Sequence, residues 1–284
     1  MTLTLLKHEF IRTRVLLAII IGGALAASAL GTLLMWINLP VVSHFGPPLI
    51  VLPIVALVPA TQIALAIDFW CSGFRSGGYL THAIPVKGAT IFWTKLLHMM
   101  LATAVVLIIG FPLFWAAWFT FASSPTAAGL GPEEPNLFVA LGSGLEAISD
   151  FIPLPLLLGV YLPIVVLFIF FTWPVMYAFI ASVGSEGPFG RMGIGGLVLM
   201  AVITYVGSQA IIFLAILAIP LGFDFTVVSD DGTPQLVVIN TLEIAFADGD
   251  SAIMPLGVFV GTILTLVIVM WRTHRSWNRH VSLN

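Results

Sequence analysis

Charge is scarce in this sequence. Only 8% of its 284 residues are Asp, Glu, Lys or Arg, against about 25% in an ordinary soluble domain. A water-soluble fold of this length has too much surface to cover with so few charges. Cysteine is nearly absent too. Cys71 stands alone, so no intrachain disulfide can form and no zinc-type Cys/His spacing exists. No lysine follows a glycine anywhere, which removes the phosphate-cradling loop of P-loop nucleotide hydrolases. His8-Glu9 lacks a second histidine at zinc-protease spacing, and there is no Gly-x-Ser-x-Gly elbow. An enzyme reading therefore has little support, no metal site is expected, and nothing points to nucleic acid.

What the chain has is apolar length. Hydrophobic residues make up 60% of it. A hydrocarbon core about 30 Å thick needs roughly 20 apolar residues per helix. Six such runs occur, at about 15–37, 48–70, 91–120, 152–181, 194–219 and 253–271. The expected fold class is all-α: a polytopic membrane protein with one transmembrane domain over 1–284. Lys7, Arg12 and Arg14 precede the first run as in a secretory signal. That run continues far beyond a signal core of about 7–15 residues, so it is read as an uncleaved first span. Before it, Leu3, Leu6 and Phe10 share a helical face, which predicts a short amphipathic helix over 1–14 lying on the membrane surface. A frayed basic tail is the plainer alternative. Pro53 and Pro59 should bend the second span, and Pro163 and Pro174 lie in the fourth.

The basic residues are segregated. Lys7, Arg12, Arg14, Arg75, Lys87, Lys95, Arg191, Arg272, Arg275 and Arg279 all fall on one side of a six-span arrangement. The opposite loops hold Glu133, Glu134, Glu146, Asp150, Asp224, Asp230, Asp231, Glu243, Asp248 and Asp250 and no base. The positive-inside rule places the basic side, and both termini, in the cytoplasm. Trp70, Trp93 and Trp271 then mark the inner interface, and Trp36, Trp115 and Trp118 the outer one. Trp173 fits neither belt and is read as a packing residue. Of the outer segments, 137–151 is expected to form a short surface helix, and 236–247 a re-entrant or interfacial piece too short to span.

Ionisable residues within spans are functional candidates. Asp68 and His98 qualify, near the cytoplasmic edge, and Asp68 is placed to pair with Lys95 across the second and third spans. The alternative is that each reaches the aqueous interface. Gly23, Ala27 and Gly31 form a small-residue stripe on the first span, suited to a dimer contact or to packing within the chain. Thr204, Ser208 and Gln209 put polar groups in the fifth span, as pathway lining or as partners for neighbouring helices. Between the second and third spans, Ser76 is placed to cap a short helix over about 76–84 and Pro85 to end it. Tyr79, Leu80, His82 and Ala83 then face a soluble partner. A stiff interhelical loop is the plainer reading.

The stretch Gly78-Tyr79-Leu80-Thr81-His82-Ala83-Ile84-Pro85-Val86, followed by Ile91 and Thr94-Lys95-Leu96-Leu97, resembles the permease subunits of type-2 ABC exporters. Leu5-Leu6-Lys7-His8-Glu9-Phe10 to Arg14 is similar to that family's amphipathic connecting helix. Lys87-Gly88 departs from the Pro-Val-Ser usual after the short helix. The resemblance implies a permease of the bacterial cytoplasmic membrane that pairs with a second permease, identical or related. It implies docking on an ATP-binding cassette ATPase, in two copies, through a coupling helix at Ser76, Tyr79, Leu80, His82, Ala83, Ile84 and Pro85. ATP and Mg would belong to that partner, with no cofactor in this chain. The alternatives are an ion-coupled secondary transporter, or a non-transporting anchor for a cytoplasmic protein.

Overall fold

The structure is a computed structural model. It describes residues 2–37, 43–75, 78–83, 85–123, 136–149, 154–224, 237–241, 243 and 253–279. Helices dominate: α1 (Thr2–Ile37), α2 (Gly46–Phe74), α3 (Gly78–Ala83), α4 (Gly88–Ser123), α5 (Leu137–Ser149), α6 (Leu154–Leu156), α7 (Leu162–Val183), α8 (Gly187–Arg191), α9 (Ile194–Ala218) and α10 (Leu256–Arg279). Six helical stretches are long and apolar enough to cross a membrane: Thr2–Ile37, Ser43–Phe74, Gly88–Ser123, Leu157–Val183, Ile194–Ala218 and Leu256–Asn278. This is the fold of a helical polytopic membrane protein. The acidic loop positions Glu133, Glu134, Asp150, Asp230, Asp231, Asp248 and Asp250 lie outside the described residues.

The single domain expected over 1–284 divides into two compact units, Met1–Ser72 with Ile84–Gly144, and Gly73–Ala83 with Leu145–Asn284. In the first, α1, α2 and α4 enclose two apolar clusters. One joins Ala24, Leu57, Val106 and Leu113, and the other Met35, Ile50 and Ala117. Close approach of α1 to α2 depends on Gly31. A Cβ there would stand 2.8 Å from both the Gly46 carbonyl oxygen and Ile50 Cγ1.

The separate interfacial helix expected over 1–14 is corrected. Thr2–Ile37 is one unbroken helix of 36 residues, about 54 Å long at 1.5 Å per residue. No proline lies within it, and the side chains of its first turns are tied to α2 and α4, so nothing stops the first span's helix from running back to the N-terminus.

In the second unit α7, α9 and α10 pack together, with α10 lying closest to α9. A Cβ on Gly257 would come 2.6 Å from the Ile216 backbone nitrogen, and one on Gly261 would come 2.7 Å from Ile212 Cα. This Gly-x-x-x-Gly pair brings the two backbones together. Before α7 the backbone widens into a π-helical turn over Leu157–Tyr161. Pro163 supplies the cause: it has no N–H for the Gly159 carbonyl and its ring crowds that oxygen. Between α8 and α9, Gly193 holds φ at +58°, a conformation that L side chains avoid.

The two segments expected on the outer side differ in kind. Residues 137–149 form α5 as expected, and Asn136 Oδ1 accepts the Phe138 N–H at 3.0 Å at its start. The piece at 236–247 begins as a strand, and Thr241 and Glu243 beyond it are helical. Val237–Asn240 is strand β2, paired antiparallel with β1 (Leu221–Asp224), which pairs on its other side with β3 (Ile253–Pro255). Val237, Val238 and Ile239 are β-branched, and such residues favour a strand. The all-α expectation thus gains a three-stranded sheet, whose β1 follows α9 and whose β3 runs directly into α10.

Candidate functional site

Seven polar side chains meet at the basic end of the first unit. On α1, Glu9, Arg12 and Thr13 are three and four residues apart and share a face. On α2, Asp68 and Ser72 repeat at four, and on α4, Lys95 and His98 at three. Lys95 is 2% exposed. Its Nζ donates to Glu9 Oε1 at 2.9 Å and to Ser72 Oγ at 2.8 Å. Arg12 grips Asp68 with two nitrogens, Nε reaching Oδ1 at 3.2 Å, and also bonds both Glu9 oxygens. Two cations and two carboxylates cancel.

The expected Asp68–Lys95 pair is therefore corrected. Asp68 is taken by Arg12, and Lys95 by Glu9. The α1 extension carries the carboxylate that reaches the buried ammonium first. One turn deeper, Thr13 Oγ1 donates to the Glu9 carbonyl at 3.0 Å and lies 3.0 Å from His98 Nε2. With the Thr13 hydrogen on that carbonyl, the contact calls for the His98 tautomer protonated at Nε2. Phe10 closes this side, its ring edge-on to His98 at 4.4 Å. Glu9, Arg12 and Thr13 were missed as site residues because the Leu3–Leu6–Phe10 face drew the reading toward a surface helix. Their i, i+3, i+4 spacing beside an apolar run was the available signal.

The second feature is α3 itself. A six-residue helix does form between α2 and α4, slightly shorter than the 76–84 expected. Tyr79 is 75% exposed, and Ala83 and Pro85 are exposed as well. Ser76, Ile84 and the side chains of Leu80 and His82 lie outside the described residues. The Gly78 N–H bonds the Arg75 carbonyl at 2.7 Å, which closes the turn from α2 into α3.

The third is a cleft of about 520 Å³ among α7, α9 and α10 in the second unit. Thr204, Ser208 and Gln209 line it together with Thr172, Trp173 and Tyr177. The hydroxyls of Thr204 and Ser208 donate to the Met200 and Tyr205 carbonyls of their own helix, so they soften the wall without offering a free donor. Thr172 Oγ1 is buried with no hydrogen-bond partner among the described residues. Trp173, read as a packing residue, stacks on Tyr177 at 5.9 Å and is 54% exposed on the cleft wall.

The small-residue stripe on α1 divides. Gly31 is spent on α2, Ala27 is half-buried, and Gly23 is exposed with nothing within 4 Å of where a Cβ would lie. Of the three stripe residues, Gly23 alone leaves open surface within the first unit. No group of three or more metal-ligating side chains occurs among the described residues. Comparison with protein families, with curated proteins and with solved structures finds no match to this chain.

Proposed function

We propose that this chain is the membrane-spanning permease subunit of an ATP-driven exporter of the type-2 ABC kind. It lies in the bacterial cytoplasmic membrane with both termini in the cytoplasm. The observation that carries this reading is α3: a short helix between two membrane-length helices, on the end that holds Arg75 and Lys87, with Tyr79 turned out to solvent. A rigid rod tied at both ends to spans can pass a push from a soluble protein into the membrane. Its sequence is where the family resemblance is densest. The missing phosphate loop fits a division of labour in which ATP and Mg are handled by a separate ATPase. Two permeases together form the pathway, and the cleft beside Thr204, Ser208 and Gln209 contributes to its wall.

Purification of the tagged chain from its native membrane, followed by mass spectrometry, tests the proposal. The expected result is a near-stoichiometric soluble protein with a phosphate-binding loop, plus a second permease or a second copy. Its absence, under conditions that hold other membrane complexes together, moves the assignment to an ion-coupled carrier or an anchor. A sharper test is Leu80→Asp. A charge forced unpaired into a docking interface costs several kcal/mol, about 3–5 when no partner is available. The variant is expected to insert normally and to lose the ATPase on co-purification. Retention at the wild-type ratio would remove α3 from the interface.

A further inference from the structure

Trp277 lies one and a half turns past Arg272, beyond the apolar part of α10, yet it is only 2% exposed. An indole that far along a span's basic end has no need to be buried unless something is built around it. Three contacts account for it, all within the second unit. The indole Nε1–H donates to Ser182 Oγ of α7 at 2.9 Å, and that hydroxyl donates onward to the Ala178 carbonyl at 2.6 Å. Its ring meets the Phe74 ring edge-on, with centroids 5.3 Å apart at 71°. Its far edge fills the space left by the absent side chain of Gly73, where a Cβ would stand 3.3 Å from Trp277 Cη2. Phe74 and Gly73 are the last two residues of α2. Beyond them, the bond from the Gly78 N–H to the Arg75 carbonyl leads straight into α3. The same end of α10 is held a second time, by Arg272, whose Nη1 lies 3.1 Å from Glu186 Oε1 just before α8.

We propose that Trp277 is a positioning residue that fixes the root of α3 to α7 and α10, so that a load placed on α3 is delivered to those two spans. The anchoring half stands on the contacts alone; the load-bearing half rests on the proposed function above. The indole suits the role because it combines a large apolar face with one directional donor. The ring holds Phe74 and Gly73 by packing, while the N–H sets the ring's orientation against α7. Neither phenylalanine nor leucine supplies both.

The test places a nitroxide at Tyr79→Cys in a Cys71→Ser background and compares its mobility in Trp277, Trp277→Ala, Trp277→Phe and Ser182→Ala proteins in lipid vesicles. Trp277→Ala is expected to shorten the nitroxide's correlation time about twofold or more, as a nanosecond-scale loosening of α3. Trp277→Phe and Ser182→Ala keep a ring but lose the hydrogen bond, and should give a smaller change in the same direction. Unchanged mobility in all variants that insert overturns the proposal. If Trp277→Ala fails to insert, the two milder variants decide it alone.

A second readout addresses the load. With the ATPase bound, Trp277→Ala should co-purify it at the wild-type ratio while permease-dependent ATP hydrolysis falls several-fold and Trp277→Phe restores part of it. A merely structural residue would lower binding and hydrolysis together, and that outcome overturns the load-bearing half. If the wild-type chain retains no ATPase at all, the proposed function fails while the mobility result still decides the anchoring.

Discussion

Glu9→Leu is expected to destabilise the first unit by about 3–5 kcal/mol, the cost of leaving a buried charge without its counter-ion. Lys95 is 2% exposed, and Glu9 is the only carboxylate it touches among the described residues. Arg12 also bonds Glu9, so the substitution leaves two cations facing Asp68 alone. Ser72, whose own hydrogen goes to the Phe69 carbonyl at 3.3 Å, remains an acceptor for Lys95, but a neutral hydroxyl cannot balance the ammonium charge. Unfolding in mixed detergent micelles measures the effect. Arg14→Leu, at an exposed position on the same helix, is the control and should change stability by no more than about 0.5 kcal/mol.

The double variant Glu9→Leu/Lys95→Met separates loss of an ion pair from loss of packing. An apolar replacement of a buried pair is often neutral or stabilising, so most of the single-variant loss should return. A double variant as unstable as Glu9→Leu would mean that Glu9 acts through Arg12 and Asp68 and not through Lys95. The coupling energy from the complete cycle gives the apportionment.

Gly257→Leu is expected to give the next largest loss, about 3 kcal/mol, the upper end of the usual overpacking range. The added Cβ would meet backbone: the Ile216 nitrogen at 2.6 Å and the Ala215 carbonyl oxygen at 2.7 Å. A flexible side chain can swing aside, but a helix backbone moves only as a unit. The α9 and α10 axes must therefore separate, and β1 and β3, which adjoin the same ends of these helices, would lose their register. A lowered thermal midpoint of the purified protein, with aggregation on extraction, is the expected reading. Gly207→Ala provides the contrast, because nothing lies within 4 Å of its Cβ position. It should be neutral or slightly stabilising, by about 0.5–1 kcal/mol, as glycine in mid-helix is unfavourable relative to alanine. Equal losses in both variants would show that the tight α9–α10 approach does not exist.

These sites differ in how far they can be read from sequence. The six membrane-length helices follow from hydropathy and charge placement alone. Lipid cannot hydrogen-bond an open backbone, so a long apolar run has few conformations available. The short helix α3 was legible for a similarly local reason, a stretch with Ser76 placed to cap it and Pro85 to end it. The apolar segment at 137–151 announced α5. The Gly-x-x-x-Gly pair at Gly257 and Gly261 was equally visible as a pattern. What the pattern lacked was its partner, the Ile212–Ile216 stretch of α9.

Tertiary structure decided the rest, because each remaining question depends on groups distant in sequence. Whether Lys95 pairs with Asp68 or with Glu9 turns on which helix brings its carboxylate nearer, and composition carries no such information. Whether the N-terminal segment is a separate helix or one with the first span depends on side chains on α2 and α4 that receive Arg12 and Thr13. The strand at Val237–Asn240 needed β1 beside it before its β-branched residues could be told from an interfacial helix. Trp277 belongs to neither aromatic belt read from the sequence. Its burial depends on a glycine some two hundred residues earlier and a serine in another span, brought together only when the helices pack.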